Sequence, residues 1–250
     1  MKLAAKENIY LSVIVPAYNE EARITKTLEL IGDYLRQQSY GYEIIVVNDG
    51  SKDNTVRAVE ALAIKIANLK LIDNHNNCGK GLAVRQGMLA AAGEIRLFMD
   101  ADNSAAIEEI EKLLVHLEAG NDIVIGSRHA HGAKIAMPQP FFRRFLGWGY
   151  RLLANILAGT WSIGDTQCGF KAMNDKAAQA ILPRCRIDRF AFDAEILAVA
   201  GILKFKVKEV GIVWKNDFRS TVKIVSVFDM FFDLLRLRAN IIKGIYDPGA

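Results

Sequence analysis

The chain has 250 residues, 51% of them apolar, enough to bury a substantial core in one domain and too apolar for a disordered segment. Lysine and arginine outnumber aspartate and glutamate by 32 to 28, a net charge of +4, too mild an excess to point to nucleic acid. Cys78, Cys168 and Cys185 lie far apart with no CxxC pair, which argues against a structural zinc site or a disulfide framework and fits a reducing compartment.

Residues 1–21 carry an apolar run of signal-peptide length, but acidic and polar residues interrupt it and its pattern continues into a strand, so no export signal is expected. No uninterrupted apolar run reaches about 18 residues, so no membrane span is expected, while peripheral membrane contact stays open. Short β-branched runs at 11–17, 43–49, 69–74, 94–100 and 122–127 predict strands covered on both faces. Between them, 20–38, 53–67, 80–92 and 104–119 show helical spacing; in the last, Ile107, Ile110, Leu113, Leu114 and Leu117 share one side. This alternation predicts an α/β fold with a Rossmann-like, mainly parallel sheet flanked by helices. After residue 128 the rhythm breaks. A Gly- and Pro-containing loop (129–140) leads to an aromatic and basic helix (141–159), then a polar turn (162–174), a helix (192–203), a strand (206–214) and a long amphipathic helix (222–244). One catalytic domain over 1–220, with 141–158 as a candidate interface helix, and a C-terminal amphipathic extension over 221–250 are expected.

Polar clusters follow the predicted strands: PAYNEE, NDGSKDNT, DADNS and GSR. An open parallel sheet gathers such groups beyond the carboxyl ends of its strands, where ligands bind. The first strand is not followed by GxGxxG, and NCGKG around Lys80 lacks P-loop spacing, so neither common phosphate motif is present. In NDGSKDNT, Asp49 could accept hydrogen bonds from a base or from ribose hydroxyls; equally, Gly50 suits a tight turn and Ser51 or Asp53 a helix cap. In DADNS, an extended backbone through Ala101 would point Asp100 and Asp102 the same way. Two hard oxygen ligands on one side suit Mg²⁺ or Mn²⁺ carrying a diphosphate. The rival is that Asp102, Asn103 or Ser104 caps a helix starting near Ala105, with Glu108 and Glu109 in its first turns.

In order, VIVPAYNEE, IIVVNDGSKDNT, NCGKG, FMDADNS, VIGSR and DTQCGFKAM resemble glycosyltransferase family 2 with the GT-A fold, over nearly the whole chain. Within the family the chain looks most like dolichyl- or polyprenyl-phosphate sugar synthases, and FAFDAEIL and the segment from Val213 onward look closer to β-glucosyltransferases than to mannose-phosphate synthases. The resemblance implies a nucleoside pocket at Pro16, Ala17, Tyr18 and Glu20, with Asp49 near the base and Lys80 in the nucleotide pocket. It places Asp100, Ala101 and Asp102 on the sugar nucleotide and gives the Mg²⁺ or Mn²⁺ to Asp100 and Asp102. Ser104, where some mannose-phosphate synthases carry a glutamine ligand, is the third candidate. Arg128 and Arg143 match basic residues that contact acceptor phosphate, as a guanidinium fork suits. Asp165, in a turn with Gln167 and Phe170, resembles the acceptor-side loop. Either Asp193 or Glu195 is implied near sugar or acceptor, and Glu195 is counted with Asp165, Arg128 and Arg143 as catalytic.

The implied reaction moves a sugar, glucose first, from UDP-glucose to a polyprenyl or dolichyl phosphate with inversion, at the cytoplasmic face of a membrane. GDP-mannose as donor, another acceptor, or a non-catalytic nucleotide-sugar-binding protein are the alternatives. In the last helix Asp229, Asp233, Arg236, Asn240 and Lys243 recur at helical spacing against Val227, Phe228, Phe231, Leu234, Leu235, Ile241 and Ile242. That surface suits either packing on the core or, with 141–158, contact with a bilayer.

Overall fold

The computed structural model describes residues 9–136, 141–215 and 224–248, the side chains of 141–146, 148 and 224–228 excepted. The β-branched runs form strands β1 (Ile9–Ala17), β2 (Gly41–Asp49), β3 (Leu69–Asn74), β4 (Ile95–Met99) and β5 (Ile123–Ser127). Every residue from Leu11 to Ala17 and from Glu43 to Asp49 is buried, as are all of β4 and β5. Strands covered on both faces cannot alternate apolar with polar, which is why these segments read as continuous apolar runs.

The intervening helices are α1 (Ile24–Arg36), α2 (Thr55–Ala63), α3 (Lys80–Ala90) and α4 (Ile110–Glu118), each shorter than its apolar periodicity suggested. A 3₁₀ turn, Ile107–Glu109, precedes α4 and carries Glu108 and Glu109 at the end favourable for acidic groups. Beyond residue 128 come β6 (Lys134–Ile135), α5 (Phe141–Ala158), β7 (Phe170–Asn174), α6 (Asp175–Ile181), α7 (Phe192–Ile202), β8 (Val207–Gly211), β9 (Val213–Trp214) and α8 (Ile224–Ile242).

The main sheet has seven strands in the order β3-β2-β1-β4-β7-β5-β8. Its pairs are parallel except where β7 runs antiparallel between β4 and β5. β6 and β9 pair separately. The segment read as a polar turn at 162–174 therefore ends in a strand in the middle of the sheet. Lys171, fully buried at its second position, broke the apolar signature; its ammonium donates to Asp193 and lies 5.1 Å from the Phe98 ring centroid.

One apolar layer packs α1, α2 and α4 on the sheet through Leu28, Ile31, Val59 and Leu113. The other gathers α3, α6, α7 and the C-terminal residues through Val84, Phe98, Ile196, Leu234 and Leu237. α8 thus spends one face on the core, at Met230, Leu234 and Leu237, while Phe232 (65% exposed), Leu235 and Ile242 (72%) stand in solvent. Tyr246, beyond α8, is fully buried in the same layer, so the described part of 221–250 packs into the catalytic body. No helix among the described residues is long and apolar enough to cross a membrane.

Candidate active site at the carboxyl edge of the sheet

β1, β2, β4 and β5 end side by side, and antiparallel β7 begins there. Met99 pairs with Phe170, and the Asp100 N–H donates to the Gly169 carbonyl at 3.1 Å. One reversed strand thereby brings the 164–169 loop to the edge where the parallel strands end, the place an open sheet offers for ligands.

The strand stops at Met99, short of Asp100. A turn follows, with Asn103 at φ +54° and its N–H donating to the Asp100 carbonyl at 3.4 Å. Asp100 and Asp102 therefore approach one another through a turn, not through the two-residue period of an extended strand. Burial raises the Asp102 carboxyl above its ordinary value, and the charge of Asp100 raises it further. The capping alternative fails: the 3₁₀ turn begins at Ile107 after Ala106, with no side-chain cap. Asp102 instead accepts the Ser104 N–H at 2.9 Å. The Ala101 carbonyl accepts the Thr27 hydroxyl at 2.7 Å, tying the turn to α1. Ser104, expected as a third metal ligand, is buried, and its backbone N–H holds the Asp102 carboxylate.

Lys80, first residue of α3, places its ammonium 2.5 Å from Asp100 Oδ1. Burial would lower its pKa, but the charges of Asp100, Asp193 and Asp102 outweigh this and hold it above the ordinary lysine value. On its other side Asp100 lies against Gly169: a Cβ there would come within 2.0 Å of Asp100 Oδ2.

The donor-side loops are laced together. Asn19, at φ +54°, donates its N–H to Ser51 Oγ and accepts the Lys52 N–H, and the Glu20 N–H donates to Thr55 Oγ1. Pro16 and Ala17 are buried in β1, whereas Tyr18 is 42% exposed at the rim. Glu20 is clamped by the Arg23 guanidinium; burial raises its pKa, and it feels Asp102 and Asp100. Asp49, expected at the base, is 3% exposed and already engaged: it accepts the N–H groups of Cys78 and Gly79 and the amide of Asn77. It latches the 77–79 loop, and so fixes where α3 and Lys80 begin.

Arg128, just past β5, donates Nε and Nη2 to the two oxygens of Asp165 at 2.8 and 2.7 Å, and its backbone N–H to the same carboxylate. Its guanidinium also lies 5.2 Å from the Trp214 ring centroid. Asp165 thus holds Arg128, a positioning task that leaves other guanidinium N–H groups for a ligand. Burial alone would raise the Asp165 carboxyl, yet Arg128 brings it down to about 2. With a folded value below the ordinary one, this pair contributes stability above about pH 4 that is lost as pH falls through about 2, roughly 2–3 kcal/mol in all. Urea titrations at stepped pH are expected to show that loss in the native chain and a flatter profile in Asp165→Asn; identical profiles would refute it. Arg143, with Arg144, lies outside the described side chains.

Glu195, expected to be catalytic, is fully buried and spent elsewhere: it accepts the N–H groups of Arg186 and Ile187 and the Tyr246 hydroxyl at 2.6 Å. Its partner in the sequence reading, Asp193, is the acid on the site side of α7. Burial raises it, while Lys171 and Lys80 pull it down. Gly169 and Lys171 went unmarked in the sequence, as did Arg189, whose stem packs near Gly79 and whose charge reaches Asp49 and Asp233. The spacing of Lys171 and Asp193 carried no local signal; only the fold joins them.

The chemistry of the Asp100 and Asp102 donors suits a hard divalent cation. Among the described residues no group of three or more His, Cys, Asp and Glu side chains is disposed to hold one. Asp100 and Asp102 would hold such an ion only with further oxygen ligands from a diphosphate and water.

A family model described as Glycosyl transferase family 2 matches residues 12–182. A dolichyl-phosphate beta-glucosyltransferase of Trichomonas vaginalis is 38% identical over 244 residues, covering 93% of this chain and 74% of its own. One from Drosophila melanogaster is 41% identical over 224 residues, covering 83% and 67%. Glucosyl-3-phosphoglycerate synthase of Mycobacterium tuberculosis, crystallised with Mn²⁺, UDP and glucosyl-3-phosphoglycerate, superposes with a TM-score of 0.65 at 17% identity, covering 97% of this chain and 82% of that one. The likeness is one of fold, the GT-A arrangement.

Proposed function

The chain belongs to glycosyltransferase family 2, and from that premise we propose that it transfers glucose from UDP-glucose to dolichyl phosphate, with inversion at the anomeric carbon. The observation that carries this reading is the intact carboxyl-edge cluster of Asp100, Asp102, Lys80 and Arg128 in a chain similar to dolichyl-phosphate beta-glucosyltransferases over nearly its whole length.

In the proposed reaction an oxygen of the lipid phosphate forms the new bond to the anomeric carbon as the bond to the UDP oxygen breaks. That oxygen is already anionic near neutral pH, so no carboxylate has to remove a proton from it. The buried acids agree with this: Asp193 is engaged by Lys171 and Glu195 by Tyr246 and two backbone N–H groups. The work left to the chain is alignment and charge. Lys80, at the start of α3, would offer its ammonium to the departing diphosphate. Asp100 and Asp102 would hold the divalent cation, which when bound supplies further positive charge against the leaving group. Arg128, held by Asp165, offers its remaining N–H groups to the acceptor phosphate.

Incubation of the purified protein with radiolabelled UDP-glucose or GDP-mannose, dolichyl phosphate and Mg²⁺ or Mn²⁺ tests the reading. Labelled lipid from UDP-glucose, lost with EDTA, is expected. Label from GDP-mannose instead, or none with either donor despite UDP binding, would reject it.

An acceptor of this kind resides in a bilayer, and we place the membrane contact on α8 and α5. What supports this is the outward apolar set Phe232, Leu235 and Ile242, together with Leu152 and Ile156 on α5 and Trp161 just beyond it (65% exposed). An amphipathic surface of this kind settles into the headgroup boundary. Co-sedimentation with anionic liposomes is expected, and Phe232→Ser with Ile242→Ser should lower the bound fraction about tenfold; undiminished binding by the double variant would remove this face from the contact.

A further inference from the structure

The Lys80–Asp100 pair puts a protein cation on an oxygen that a divalent cation would need. The ammonium lies 2.5 Å from Asp100 Oδ1, and the two side chains are 28% and 25% exposed. Asp100 has little freedom to turn away from it. Its N–H is bonded to the Gly169 carbonyl, and its carboxylate lies so close over Gly169 that even a methyl group there would collide with Cγ and both oxygens. Lys80 differs: its backbone is anchored by the latch of Asp49 on Gly79, but four methylenes separate that anchor from the charge. Of the two partners, Lys80 is the one that can move. A second cation brought to Asp100 and Asp102 would meet a positive charge within a few ångströms, so ammonium and metal exclude one another until Lys80 has another anion to go to.

We propose that Lys80 occupies Asp100 in the nucleotide-free protein, so that a divalent cation gains full access to the Asp100 and Asp102 pair only when a nucleoside diphosphate draws the ammonium away. Cation and nucleotide then bind with positive coupling, and the free protein is protected from retaining metal without donor. The inference rests on the reading that Asp100 and Asp102 hold the donor's cation, and it adds an order of events that reading does not contain.

The test is Mn²⁺ binding to the full chain, followed by electron paramagnetic resonance of free Mn²⁺, with and without UDP and corrected for the Mn²⁺ that UDP binds in solution. In the native chain Mn²⁺ alone should bind weakly, and UDP should raise its affinity at least tenfold beyond that correction. Lys80→Met should bind Mn²⁺ alone at least tenfold more tightly than the native chain and show a smaller effect of UDP. Lys80→Arg, which keeps a charge at the site, should behave like the native chain and guards against a folding artefact in Lys80→Met. No gain in Mn²⁺ affinity for Lys80→Met, or an undiminished UDP effect, overturns the proposal. Asp102→Asn separates the two levels of inference: if it binds Mn²⁺ with UDP as well as the native chain does, the cation is not at this pair and the underlying reading fails.

Discussion

Asp102→Asn is expected to lower glucosyl transfer by about 10²–10³-fold, or about 3–4 kcal/mol of transition-state stabilisation, while the protein keeps or gains stability. The two signs come from one cause. Asp102 is half-buried near Asp100, and both desolvation and that neighbouring charge disfavour its ionised form. A carboxylate maintained against such a gradient is a cost to folding, repaid when a cation arrives. Asparagine keeps the Oδ1 that accepts the Ser104 N–H, so the turn between β4 and the 3₁₀ helix survives, while the repulsion toward Asp100 disappears. With the folded carboxyl raised above its ordinary value, protonation favours the fold. Native stability therefore carries a gain from this site as pH falls toward the ordinary carboxylate value, and the variant lacks that dependence. Thermal melts at pH 7 and steady-state kinetics with UDP-glucose check both halves. A variant with native turnover would take Asp102 out of the site; a variant that melts far below the native chain would show that the side chain serves structure instead.

Much of the donor side was legible because local rules and the fold agree there. Five apolar runs became five strands, and the polar residues after them met at one edge because parallel strands end together. The failures share a physical character: they occur where a distant partner overrides a local rule. β7 read as a turn because Lys171 looks exposed until Asp193, more than twenty residues away, is folded onto it. The period-two argument for Asp100 and Asp102 does not apply, since the strand ends one residue too soon and a turn carries both. Asp193 and Glu195 lie two apart on α7, and the sequence reading counted Glu195 as the catalytic one. Residues so spaced leave a helix in nearly opposite directions, and the fold sends Asp193 toward Lys171 while Glu195 binds Tyr246. Arg128 and Asp165 were each marked but not joined, and joining them changes both roles: Asp165 becomes the group that aims Arg128.

Gly169→Ala is expected to cost activity on the scale of losing Asp100, about 10²-fold or more, from one added methyl group that touches no substrate. The backbone at Gly169 is not in the left-handed region, so alanine meets no conformational objection there. The objection is steric: the new Cβ would lie 2.0, 2.3 and 2.6 Å from Oδ2, Cγ and Oδ1 of Asp100. Either the carboxylate swings out toward solvent and leaves Lys80, or the start of β7 moves off β4 and breaks the bond from the Asp100 N–H to the Gly169 carbonyl. The first costs little stability and the second roughly 1–3 kcal/mol, but both take Asp100 from the geometry it needs. Gly201→Ala, in α7 with open space where its Cβ would go, is the matched control and should gain up to about 1 kcal/mol without loss of turnover. Kinetics and urea denaturation of the two variants separate a misplaced carboxylate from general helix or strand effects. Native activity in Gly169→Ala would mean that the carboxylate has room the structure denies it. A loss of activity far larger than the loss of stability would identify the bare Cα of Gly169 as the wall that holds Asp100 in place.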